Sequence, residues 1–169
     1  MLDPLSHKIQ RALQAAQGMY HRLVLLVGES GSGKTAVLRE VAEVLGTSVV
    51  NVNLEISRAL LDLTSRQRTL RLPGILGQIA DKAQATVFLD NLEILFDNHL
   101  QQDPLRLLQS IARNRTVVAS WNGKMHSDRL VYAESGHPEY RCYARVDALI
   151  VNMDGTSSLD AAWGIGAYT

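Results

Sequence analysis

Gly28-Glu29-Ser30-Gly31-Ser32-Gly33-Lys34-Thr35 is the stretch whose reading decides the fold. It fits G-x-x-x-x-G-K-[ST] at every position, the spacing of a phosphate-binding loop. Each residue type has a physical reason to stand where it does. Glycine at 28, 31 and 33 opens backbone conformations closed to other residues and lets a polyphosphate approach with no Cβ in the way. Successive N–H groups then turn inward as an anion-binding nest. A helix opening near Gly33 adds its unpaired N–H groups and the positive end of its dipole. Lys34 is placed to reach the β- and γ-phosphates, and the Thr35 hydroxyl to ligate Mg²⁺. Residues Gly28, Glu29, Ser30, Gly31, Ser32, Gly33, Lys34, Thr35 and Ala36 make up the expected nucleotide-binding segment, with ATP and Mg²⁺ as its expected ligands.

The flanks agree with the loop. Leu23-Val24-Leu25-Leu26-Val27 is a continuous apolar run of strand length, as a parallel strand buried on both faces requires. After the loop, Val37, Leu38, Val41 and Leu45 recur at helical spacing, and Gly46 stands where a C′ glycine ends a helix.

Thr86-Val87-Phe88-Leu89-Asp90 is the second chemical landmark: four residues of buried-strand character ending in a carboxylate, the Walker B pattern. An Asp at the C-terminal end of a parallel strand points into the crevice where open α/β sheets bind ligands. Asp90 is therefore the expected partner of Thr35 around Mg²⁺. NTPases that activate water commonly carry Glu immediately after this Asp, but here that position is Asn91. Glu93, three residues on, is the candidate general base if a helical turn brings it beside Asp90. Capping that turn, or pairing with a cation, is the competing role for Glu93. Thr116-Val117-Val118-Ala119-Ser120 is a further strand, and Ser120 and Asn122 at its end are the candidates for a γ-phosphate sensor, with loop capping as the alternative.

The rest of the chain alternates. Asp3-Pro4 opens a helix over about 3–17 with Leu5, Ile9, Ala12, Leu13 and Ala16 as its apolar stripe. Ser48 to Leu54 reads as a second strand, and Pro73 as the start of a helix carrying Ile75, Leu76, Ile79, Ala80 and Ala83. Between them lie Arg58, Arg66, Arg68 and Arg71, either a solvated basic face or a contact surface for phosphate or nucleic acid. Asp103-Pro104 repeats the helix-opening signature. Arg129–Tyr132 and Arg141–Ala144 fit a hairpin in a polar, turn-rich segment, and Arg129, Arg141 and Arg145 are the candidates for an arginine donated to a neighbour's nucleotide. Asp147–Asn152 is the last strand, followed by a tail with Trp163 and Tyr168. A parallel five-stranded sheet flanked by helices follows, within one domain spanning 1–169 and with its core over about 22–152.

Composition sets limits. With 46% apolar and 20% charged residues and a formal net charge of zero, no global electrostatic argument points to nucleic acid or an anionic membrane. One cysteine, Cys142, leaves no intrachain disulfide to form. The five histidines show no metal-ligand spacing. No apolar run is long enough to cross a bilayer and no leader pattern opens the chain, so a cytoplasmic protein is expected.

One strand-helix unit separates the two Walker motifs, which resembles AAA+ and RecA-like ATPases and implies the strand order 5-1-4-3-2. By the same resemblance the chain stops soon after the fifth strand, so the helical AAA+ lid with its sensor arginine is expected to be missing. The lone P-loop unit, the leading helix and Phe88-Leu89-Asp90-Asn91-Leu92-Glu93 running into Ile94-Leu95-Phe96 are together similar to the BrxF family of bacterial type III bacteriophage-exclusion (BREX) systems. That resemblance implies an antiviral assembly in which the protein works with other BREX components on DNA, directly or through partners, as a homo-oligomer. Three functions stay open: an ATPase or ATP-driven switch, a small-molecule P-loop kinase, and a non-catalytic module ordered by ATP.

Overall fold

The computed structural model describes residues 4–83 and 85–160. Five parallel strands run β2 (Val49–Asn51), β3 (Thr86–Asp90), β4 (Thr116–His126), β1 (Leu23–Gly28) and β7 (Leu149–Asn152) across the sheet. Counting the parallel strands alone, this is the order 5-1-4-3-2. The register aligns their C-terminal ends: Gly28 lies opposite Asn122, Asn51 opposite Asp90, and Leu89 opposite Ala119. One crevice therefore collects the residues that follow each strand.

Helices cover both faces, which is why the β1 run is apolar throughout. Val24 and Leu26 pack under α1 (Leu5–Ala16) and α2 (Lys34–Val44), with Ile9, Leu13, Leu38 and Val41. Leu23, Leu25 and Val27 face α3 (Val52–Leu60), α4 (Ser65–Asp81) and α5 (Pro104–Ile111). The Gly46 prediction holds in detail: at φ 73° it closes a Schellman motif, with Thr47 N–H on Ala42 O at 2.9 Å and its own N–H on Glu43 O at 3.1 Å. Asp103 caps α5 by accepting from Leu105 N–H, with Pro104 at the first position. The α1 stripe is buried, while Asp3 and the tail with Trp163 and Tyr168 lie outside the described residues.

Three expectations need correction. Strand two is shorter than 48–54, because the Asn51 side chain accepts from Leu54 N–H and starts α3 at Val52. Pro73 does not start a helix. It lies inside α4, which begins with a capping box in which Thr64 and Gln67 bond each other's backbone N–H. Proline removes the donor for the Thr69 carbonyl four residues back, and the Gln102 amide supplies one instead at 2.8 Å. Finally, the strand predicted over 116–120 continues to His126 and leaves the parallel sheet. There it pairs antiparallel with β5 (Arg129–Tyr132), which pairs with β6 (Arg141–Tyr143), so the expected hairpin forms as part of a three-stranded extension. Gly123 permits the crossing, since a Cβ there would lie 1.8 Å from the Val131 carbonyl oxygen.

Candidate nucleotide site

The loop between β1 and α2 has the geometry its sequence predicts. Gly31 and Gly33 take φ of 79° and 97°, left-handed values that favour glycine. Gly28 is needed for space instead: a Cβ would come within 2.6 Å of Met153 Cγ and 2.7 Å of Ser32 Oγ. Met153 is held there by its N–H on Val27 O. Lys34, the first residue of α2, is 6% exposed and folds back over the loop. Its ammonium donates to Gly28 O at 2.8 Å, Glu29 O at 2.6 Å and Ser32 Oγ at 3.3 Å. Burial pulls its pKa below the usual lysine value, opposed by the charges of Asp90, Glu93 and Glu29.

Asp90 ends β3, buried at 5% exposure. Thr35 Oγ1 donates to its Oδ2 at 2.5 Å, and Ser120 Oγ donates to Oδ1 at 2.6 Å. A hydroxyl oxygen and a carboxylate oxygen side by side suit a hard divalent cation, so the donor set fits Mg²⁺. Lys34 and the N-terminal end of α2 beside it suit a phosphate group.

Beyond Asp90 the chain bends through Asn91, at φ 55°, into a 3-10 turn over Glu93–Phe96. The turn opens at Glu93 rather than spanning Asp90 to Glu93, and the charges of Asp90 and Glu93 both act on Lys34. Both carboxylate oxygens of Glu93 are held: Asn122 Nδ2 donates to Oε1 at 2.5 Å and Asn53 Nδ2 to Oε2 at 2.8 Å. Asn53 also accepts from Ile94 N–H at 2.7 Å and donates its own N–H to Asn91 O. It fixes the whole Asn91–Ile94 bend. Asn53 was not among the expected site residues; its visible signal was an amide just past strand two, where α3 begins.

Underneath, Phe96 stacks on Tyr132 with centroids 3.4 Å apart, and Trp121 meets both edge-on. Burial, with Glu93 and Glu139 nearby, pushes the Tyr132 hydroxyl up to about 12. The hairpin extension thus forms the floor beneath Glu93.

Lys34, Thr35, Asp90, Glu93, Ser120 and Asn122 therefore converge, though Ser120 serves Asp90 and Asn122 serves Glu93. The three arginines do not join them. The Arg141 guanidinium donates to Gln102 O at 3.5 Å, while Arg129 and Arg145 stand exposed on the hairpin side. Of the earlier basic cluster, Arg68 braces the α3–α4 turn through Leu61 O and Leu63 O, and Arg58 lies 4.0 Å from Glu55.

A glycine loop with Lys34 and Thr35, opposite an aspartate two strands away in this strand order, defines a P-loop NTPase core. Residues 24–119, more than half of the chain, match the model of the ATPase family associated with various cellular activities (AAA). The chain belongs to that family. It is similar to midasin of Giardia intestinalis, 31% identical over 143 residues that make up 80% of this chain and 3% of midasin. The structure of C. elegans PCH-2 superposes on 88% of this chain and 41% of that one, at 17% identity and a TM-score of 0.45. The chain thus spans less than half of either protein's length. No helix among the described residues is long and apolar enough to cross a membrane.

Proposed function

We propose that the chain binds Mg²⁺·ATP at Gly28–Ala36 and hydrolyses it to ADP and phosphate as part of a larger assembly. The observation that carries this is the Glu93 carboxylate, held by Asn53 and Asn122 beside Asp90 and Lys34. Each carboxylate oxygen uses one lone pair on an amide and keeps another for a water proton. Glu93 then acts as general base, its position fixed before the substrate arrives. Thr35 Oγ1 and Asp90 would hold Mg²⁺, which would supply positive charge to the phosphates. Lys34 exchanges its carbonyl contacts for phosphate oxygens, and its burial strengthens that attraction. Asn122 is close enough to Glu93 to sense a γ-phosphate and report it to the base.

An arginine from a neighbouring copy completes the charge balance in this reading. Arg129 and Arg145 are the better donors, because Arg141 is engaged within its own chain. Where a small-molecule kinase of this class places an acceptor-binding carboxylate after strand two, Asn53 instead holds the base, which favours water as acceptor. The BrxF resemblance supports a setting in a bacteriophage-exclusion assembly, in the cytoplasm and with DNA reached directly or through partners. Lys34→Ala tests the site, because it removes the ammonium that folds over the loop. ATP affinity should fall by at least about a hundredfold. An affinity equal to that of the unaltered chain would refute the assignment.

A further inference from the structure

Two concave regions flank α3 and α4, with volumes of about 740 and 490 Å³. α3 contributes Glu55 to the first and Ala59 to the second; α4 contributes Ile79 and Lys82 to the first, Ile75 and Gln78 to the second. Each pair of positions is one helical turn apart on one face, so the two regions are successive stretches of a single groove. From Arg71 to Ala83 along α4 the groove runs about 18 Å. That accommodates roughly five or six residues of extended chain.

The groove opens onto β2, the edge strand of the sheet. β2 pairs only with β3, and among the described residues its outer ladder groups have no partner. The opposite edge is closed. After β7 the chain folds back so that Ser157 bridges Val151, Ser158 N–H bonds Ile150 O at 2.8 Å, and Ser158 Oγ accepts from Ile150 N–H. An open edge beside a cleft of mixed polar and apolar lining is a template for strand addition. Apolar side chains mark both mouths: Leu70 is 69% exposed at one, and Val44 and Leu45, 65% and 47% exposed, lie beside the other. Arg71 on α4 and Lys82 at its C-cap stand exposed with no ion pair among the described residues, and Glu55, the carboxylate in the lining, lies 4.0 Å from Arg58.

We propose that this groove binds an extended, acidic and apolar peptide segment of a partner protein, which adds to β2 as a strand and continues between α3 and α4. Three ladder residues alone are a short template, so the apolar side chains of Leu63, Ile75 and Ile79 and the two cations supply the remaining recognition. A second copy is the weaker occupant, because its own β2, Val49–Asn51, carries no acidic residue to meet Arg71 and Lys82. Occupancy reaches the nucleotide site, since the α3 wall carries Asn53 in its first turn.

The test is selection of a displayed library of random nine-residue peptides against the full chain, with Gly74→Trp in parallel. A Cβ at Gly74 meets nothing within 4 Å, so the new side chain fills the groove without displacing the helix. The expected peptides combine Asp or Glu with β-branched residues or Leu, avoid proline, and lose about tenfold or more in affinity on Gly74→Trp. The surface variant Lys82→Glu should weaken them by about threefold or more, with ATP affinity unchanged. No enrichment over Gly74→Trp, enrichment of basic peptides, or equal binding to both chains would overturn the proposal. A molar mass of the chain alone that falls on Gly74→Trp would assign the groove to a second copy and overturn it equally.

Discussion

Replacing Asn53 by alanine removes a side chain that ties α3 to the Asp90–Glu93 bend by hydrogen bonds. Two hydrogen bonds go: the donor to Glu93 Oε2 at 2.8 Å and the acceptor of Ile94 N–H at 2.7 Å. A bond to a charged group contributes about 1.5–3 kcal/mol and a neutral one about 0.5–1.5 kcal/mol. Asn53 is half-buried, so the lower halves of those ranges apply and the expected loss is about 2–3 kcal/mol. For a domain of this size that lowers Tm by about 4–12 °C. Asn53→Asp keeps the shape and the acceptor for Ile94 but sets a second carboxylate against Glu93. It should be less stable than the alanine variant at pH 8. The difference should close below about pH 5, where one shared proton restores a donor. Urea denaturation at both pH values measures stability, and single-turnover ATP hydrolysis measures the placement of Glu93. An alanine variant that melts and turns over like the unaltered chain would refute the role given to Asn53. So would an aspartate variant no less stable than alanine at pH 8.

Gln102→Ala should cost about 1–2 kcal/mol by leaving the Thr69 carbonyl without a donor. Pro73→Ala restores an intrahelical donor, so the two substitutions should couple by about 1 kcal/mol in a denaturation cycle; strict additivity would contradict the account of α4. Tyr132 gives a pH signature. Its pKa is about 12 in the folded chain against about 10 unfolded, so the native state holds more protons between those values. Its stabilisation is complete below pH 10 and is lost as pH rises toward 12. Tyr132→Phe should therefore lose less stability than the unaltered chain between pH 9.5 and 11.5, by at most about 2–3 kcal/mol. Equal losses would place the hydroxyl in solvent.

Much of the fold was legible because its signals are local. The Gly28–Thr35 loop, the β1 run before it and the Gly46 stop after it each act within a few residues, while the sheet order was what the resemblance to AAA+ and RecA-like ATPases implied. What escaped depends on long-range partners. Asn53 meets Glu93 forty residues later only because β2 and β3 align Asn51 with Asp90. Pro73 reads as a helix start by every local rule, and an amide 33 residues away from Thr69 overrides it. Gly123 looks like a strand terminator, yet it is the residue that lets β4 pass the Val131 carbonyl and continue. Glu93 was half legible: its spacing from Asp90 was visible, while the two amides that hold it were not. The arginines stayed undecided, since a residue donated to a neighbour leaves no mark within its own chain.

The central claim is that Glu93 activates water for an ATP held by the Gly28–Ala36 loop. Its most direct test is ATP turnover per chain with Mg²⁺ across a wide range of protein concentration, with Glu93→Gln measured alongside. The account predicts a rate that rises with concentration as neighbours supply an arginine, and a Glu93→Gln chain that binds ATP with unchanged affinity but turns it over about a hundredfold or more slowly. Equal rates for the two chains at every concentration would contradict it.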